Sequence, residues 1–128
     1  MKKRAFIVSA IASAALCSAG LAMAQDKFKI GLILPMTGPF ASTGKQIEAA
    51  ARLYIAQNGD TVGGKKVELI VKDDTSAPDV TKRIAQELVV NDKVNVLAGF
   101  GLTPLALATA PIATQSKTPL VVMAAATS

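Results

Sequence analysis

Four short apolar runs, the first three each followed by a stretch of helical periodicity, constrain this chain more than any other feature. The first run, Phe28 to Leu34, is continuously apolar from Ile30, as in a strand buried on both faces, and it stops at Pro35. Gly31 within it leaves room for another element to pack closely. A loop containing Gly38 and Pro39 follows, and Thr43-Gly44-Lys45-Gln46 matches a capping box. Ile47, Ala50, Ala51, Tyr54 and Ile55 then fall on one face of a helix that Asn58-Gly59 closes.

The same unit recurs. Asp60 to Gly64 reads as a glycine-rich turn, and Lys66 to Asp73 as the second strand. Ser76-Ala77-Pro78-Asp79 is a second capping box with an acid in the first turn, and Val80, Ile84 and Leu88 carry the second helix to about Asn91-Asp92. Val94 to Ala98 is the third strand. Thr103-Pro104 reads as N-cap and first helical residue of a third helix, which Pro111 is expected to kink or shorten. Pro119 to Met123 is the fourth strand, and Thr127-Ser128 stand where a cap would follow. The order β-α-β-α-β-α-β predicts an α/β fold, a parallel sheet with helices on both faces and right-handed crossovers. A sheet that ends on an uncovered apolar strand is unusual for a finished domain, so residues 25–128 are expected to be part of a larger unit.

Residues 1–24 stand apart from this pattern. Lys2, Lys3 and Arg4 precede an apolar core from Ala5 to about Leu16, and Ala22-Met23-Ala24 precede Gln25, the order of a cleavable export signal. The apolar core is shorter than the ~20 residues that span a bilayer. Leu16 before Cys17 disfavours a lipid anchor. Cleavage is expected near Ala24/Gln25, which places the mature chain in the periplasm without a cysteine and so without disulfides. The formal charge is +5, three of it in the leader, and the remaining acids and bases are interspersed. A nucleic-acid footprint would need clustered bases, and one Tyr with no Trp offers no stacking platform.

With no histidine anywhere and no cysteine after the leader, a zinc site and a His- or Cys-based catalytic machine are not expected, and neither a catalytic residue nor a cofactor is proposed. Asp73-Asp74 at a strand end admit two readings, a metal or phosphoryl-acceptor pair or, favoured here, hydrogen bonding to loops and helices. Gly99-Phe100-Gly101 lacks the third glycine and the acidic partner of a dinucleotide site; a loop that lets a ligand approach the backbone is the better reading. Hydroxyl residues at three helix starts, Thr43, Ser76 and Thr103, are either ordinary caps or donors converging with helix N-termini on a small anion. Phe40, an apolar ring in a loop, is a pocket wall or a contact to another lobe.

The leader, KIGLILPMTGPFASTGKQIEAAARLYIAQNG, GGKKVELIVKDDTSAPDVTKRIAQELVVNDKVNVLAGFG and PLVVMAAATS, in that order, resemble the solute-binding proteins of ABC importers, leucine/isoleucine/valine-binding type, with the type I periplasmic binding fold. The resemblance covers nearly all of the mature chain. It implies two α/β lobes closing on a ligand about a hinge, with residues 25–128 as the N-terminal part of lobe 1 and the second lobe absent. It further implies that Thr103 holds a ligand carboxylate, and that Ala125 and Thr127 supply a carbonyl and a hydroxyl to the ligand's polar head. Thr43 occupies a position where an aromatic residue often walls the pocket; together with Leu102-Thr103-Pro104 in place of a serine-rich run, it departs from branched-chain amino-acid binders and leaves room for an aromatic acid. The implied partners are a small carboxylate-bearing molecule and the importer's membrane permease subunits, with no nucleic acid, and a monomer when full length. A ligand-sensing ectodomain of the same fold, and less readily an α/β enzyme using Asp73 or Asp74, are the alternatives.

Overall fold

The computed structural model describes residues 27–125; the expected leader and Thr127 lie outside the described residues. In chain order the elements are β1 (Lys27–Leu34), α1 (Ala41–Asn58), β2 (Thr61–Val62), β3 (Lys65–Asp73), α2 (Pro78–Val90), β4 (Val96–Gly99), α3 (Thr103–Ser116) and β5 (Leu120–Val122). They form one sheet in the order β2-β3-β1-β4-β5. β1 runs parallel to both β3 and β4, and β4 runs parallel to β5. The expected α/β alternation is therefore present, with β1 central.

The sheet has one strand where the sequence pattern reads as turn. Thr61 and Val62 pair antiparallel with Lys66 and Lys65. Gly63 and Gly64 both have positive φ, 57° and 78°, the backbone of a two-residue hairpin turn that only glycine adopts without strain. Lys66 closes the hairpin on Asp60 at 3.2 Å.

Alternation along each strand sorts the core into two sides. Ile33, Leu97 and Phe100 join Ile84, Ala85 and Leu88 of α2 and Leu105, Ala106 and Ala113 of α3 in one cluster. Gly31 opens the notch for it: a Cβ there would lie 2.9 Å from a Leu88 methyl carbon. Leu32, Leu34 and Ala98 point to the opposite side, where Ile47 of α1 packs. Helices thus lie on both faces, α2 and α3 on one and α1 on the other. That is what right-handed crossovers require when the chain moves from β1 out to β3 and then back past β1 to β4.

Several boundaries differ from expectation for identifiable reasons. α1 begins at Ala41 with Phe40 as its N-cap, so Thr43 lies inside the first turn and the Thr43–Gln46 capping box does not form. Gly38 turns the chain early, and Ala41 donates back to the Gly38 carbonyl. α2 is capped by Ala77, because the residue before Pro78 is held extended, at φ −113° and ψ 122°; Ser76 is outside the helix. α3 starts one residue earlier than expected, with Leu102 as N-cap, and runs through Pro111 without being shortened. β4 begins at Val96 because the Val94 amide turns to the Leu88 carbonyl at the end of α2.

Candidate functional site

The strand order places a switch point between β1 and β4, since the chain leaves β1 in one direction and returns past it to β4. In open α/β sheets that crevice, at the carboxyl ends of the strands, is where ligands bind. The loops flanking it are residues 35–40 and 100–102. They are packed on each other: a Cβ on Gly101 would lie 2.8 Å from the Pro35 ring. A Cβ on Gly99 would stand 2.2 Å from the Ile33 carbonyl oxygen, and its φ of +115° is one that side chains avoid. The Gly99-Phe100-Gly101 glycines thus allow close approach to β1 and its loop. Phe100, at φ +67°, is fully buried in the α2/α3 core and anchors the loop from below.

Four of the five expected site residues can be placed. Phe40 is the α1 N-cap, with 44% of its surface exposed. Thr43 is partly exposed in the first turn of α1, and Thr103, also partly exposed, is the first residue of α3. The switch point brings these two helix starts to the same sheet edge, one from each face. Ala125 follows β5 at that edge and packs against the α2/α3 core. Thr127 lies outside the described residues. The first-turn amides are largely occupied within their own turns. Thr43 and Gly44 donate to the Phe40 carbonyl, Leu105 and Ala106 to the Leu102 carbonyl, and Pro104 has no N–H. Side-chain hydroxyls, rather than a bare ring of helix amides, are therefore the polar feature of these two helix starts.

The aspartate pair beside the crevice divides its labour. Asp73 Oδ1 accepts from the Met36 amide at 2.9 Å and from the Thr75 amide at 2.9 Å, and Oδ2 accepts from the Thr37 hydroxyl at 2.7 Å. Desolvation pushes this carboxyl up, but the bonds from Thr37, Thr75 and Met36 outweigh it and hold it below the usual carboxylate range. Asp74 is fully buried. Desolvation raises it, the Ser76 amide opposes, and the charge of Asp73 adds to the rise. Its Oδ2 and the Ser76 hydroxyl are buried without a hydrogen-bond partner among the described residues. The loop-bonding reading of Asp73 holds. The sequence shows two acids at a strand end, but Met36 and Thr37 as partners come from a loop 37 and 36 residues upstream, which no local pattern reveals. Among the described residues no three potential metal ligands cluster.

A separate cavity lies elsewhere. Between α1 and the sheet is an apolar groove of about 400 Å³, lined by residues such as Leu32, Tyr54, Ile55, Val62, Leu69 and Met123. None of Phe40, Thr43, Thr103 and Ala125 lines it. It presents no converging polar groups and is a partly uncovered core surface, not a site for a carboxylate.

The sheet is open and mainly parallel, and two loops are locked together across its switch point. The chain belongs to the periplasmic binding protein family, whose sequence pattern matches residues 27–128. It is 46% identical over its whole length to Leu/Ile/Val-binding protein homolog 6 of Brucella abortus, of which it spans 32%. Among solved structures it is 69% identical to an ABC-transporter solute-binding protein from Rhodopseudomonas palustris BisB5 in complex with 3,4-dihydroxybenzoic acid, at a TM-score of 0.78, covering 80% of this chain and 28% of that one. A leucine-binding protein from Thermotoga maritima is 31% identical, at a TM-score of 0.73, covering 77% of this chain and 28% of that one. The chain thus spans about a third of the length of the curated relatives it matches.

Proposed function

We propose that this chain is the first part of the ligand-binding lobe of an extracytoplasmic solute-binding protein that captures a small aromatic carboxylate, of the hydroxybenzoate kind, for an ABC importer. One observation carries the choice of ligand: 69% identity to a protein solved with 3,4-dihydroxybenzoic acid, against 31% to a leucine-binding protein of the same fold. The departure at Thr43, small where an aromatic wall is common, supports the same reading.

In this reading Thr103 donates to the ligand carboxylate. The Ala125 carbonyl and the Thr127 hydroxyl serve the ligand's polar head, and Phe40 covers the ring. A leader over residues 1–24 delivers the chain to the periplasm, where the full-length protein acts as a monomer, closes about a hinge and presents its cargo to the permease subunits. Capture requires shape and hydrogen bonding only, with no covalent step. Calorimetric titration of the full-length protein with 3,4-dihydroxybenzoate and with leucine tests the assignment. The aromatic acid is expected to bind about a hundredfold tighter or more, since a site built to pair a ligand's polar groups rejects at least that strongly a ligand that leaves them unpaired. Leucine binding as tightly as the aromatic acid would overturn it.

A further inference from the structure

Asp73 does not belong to the loops that flank the switch point, yet its carboxylate is bonded to one of them. Both its oxygens reach the start of the β1–α1 loop, one to the Met36 amide at 2.9 Å and one to the Thr37 hydroxyl at 2.7 Å. Within the loop and the helix start it leads into, Ala41 donates to Gly38, and Thr43 and Gly44 donate to Phe40. The carboxylate is itself held. Thr75, at φ +50°, turns its amide back onto Oδ1 at 2.9 Å, and the Asp74 amide ties the end of β3 to the Leu34 carbonyl at 3.0 Å. A bond to an ionised acceptor is roughly twice as strong as one between neutral groups. The loop that bears Phe40 and leads into Thr43 is therefore located by a fixed anion on a neighbouring strand.

We propose that Asp73 is a positioning residue for ligand capture. Without touching the ligand, it sets where Phe40 and the first turn of α1 stand over the crevice. This rests on the ligand-binding reading of that crevice. It predicts a loss of affinity that exceeds any loss of fold, because the loop is displaced while the sheet beneath it keeps its ladder.

The test uses Asp73→Ala, Asp73→Asn and Thr37→Val in the full-length protein, with 3,4-dihydroxybenzoate as the probe. Amide hydrogen exchange at Met36 is read against Leu97 in the core. Asp73→Ala is expected to weaken binding about tenfold or more and to speed Met36 exchange by a similar factor, while Leu97 changes far less. Asp73→Asn keeps an acceptor for the Met36 amide and regains most of the affinity. Adding Thr37→Val to Asp73→Ala costs nothing further, since the two residues act through one bond. Unchanged affinity in Asp73→Ala, or equal acceleration at Met36 and Leu97, overturns the proposal. If the wild-type protein binds no aromatic acid, the functional reading falls, and the exchange comparison alone upholds or overturns the positioning role.

Discussion

On one face of the sheet Leu88, Leu97, Phe100 and Leu105 are at most 1% exposed, and α2 and α3 pack on each other as well as on the strands. On the other face, only Gly44 of the eighteen-residue α1 is buried, Leu53 and Tyr54 are 56% and 67% exposed, and an apolar groove separates the helix from the strands. The difference lies in where each helix is fastened. α2 and α3 share one core through Ile84, Ala85 and Leu88 on the first and Leu105, Ala106 and Ala113 on the second. α1 is fastened at its N-terminal end, where Gly44 sits so close to the Pro35 carbonyl that an added Cβ would lie 2.1 Å from the oxygen. That is also the end that carries Phe40 and Thr43. Of the candidate site residues on α1, both lie within this first turn or its cap.

The comparison is most directly broken on the packed face. Leu88 is fully buried and fills the notch that Gly31 leaves in β1. Leu88→Ala is expected to cost about 2–5 kcal/mol of unfolding free energy, measured by urea titration, because the notch and the α2–α3 seam cannot both collapse into the space. A loss of less than about 1 kcal/mol, the scale of an average surface-adjacent change, would mean that the two faces are equally loose.

Gly44→Ala tests the closest approach of α1 to the β1–α1 loop. Alanine favours a helix interior over glycine by about 1 kcal/mol. Here, however, the added methyl meets a backbone oxygen that cannot rotate away, and overpacking of this kind costs about 1–3 kcal/mol. The expected net effect is a modest destabilisation, smaller than at Leu88. Affinity for the ligand should fall by more than the stability loss explains, because the helix start carrying Phe40 and Thr43 must move. Calorimetry and urea titration on the same variant separate the two effects. A stabilised variant with unchanged affinity would show that α1 is not held where Gly44 meets Pro35.

Strand identities are legible in the sequence because both faces of β1, β3 and β4 meet apolar partners, which leaves runs such as Ile30–Leu34 with little choice of structure. The helix starts are less so. Hydroxyl-based capping patterns at Thr43 and Ser76 lose to stronger local constraints, the Gly38 turn before Phe40 and the extended residue that Pro78 demands. β2 is hidden because two residues carry no periodicity, and only the paired glycines after it signal the hairpin. At the site, the hydroxyls can be named in advance but not their setting. That Gly101 packs on Pro35, and that Asp73 bonds Met36 and Thr37, depends on which strands become neighbours. Strand order is a property of the whole chain rather than of any window in it.

The smallest effect is expected in the groove. Tyr54 falls on the face that apolar periodicity assigns to the core, yet it is two-thirds exposed, and its ring borders the open space between α1 and β1. Truncating an exposed side chain removes little buried area and leaves no enclosed cavity. Tyr54→Ala should therefore change the unfolding free energy of this chain by no more than about 0.5 kcal/mol, the range of ordinary surface substitutions. Helix propensity keeps the change small, since alanine is the better helix former by a few tenths of a kcal/mol and offsets what little packing the exposed ring provides. The contrast with Leu88 is the informative quantity, because both residues occupy the apolar stripe of a helix packed on the same sheet. If Tyr54→Ala costs about 2 kcal/mol or more, as a buried aromatic would, then α1 closes onto the sheet in solution and the groove is filled by its own helix. If it costs nothing, the helix is held at its N-terminal end, by Gly44 and Ile47, and the periodicity around Tyr54 marks an apolar face that stays open.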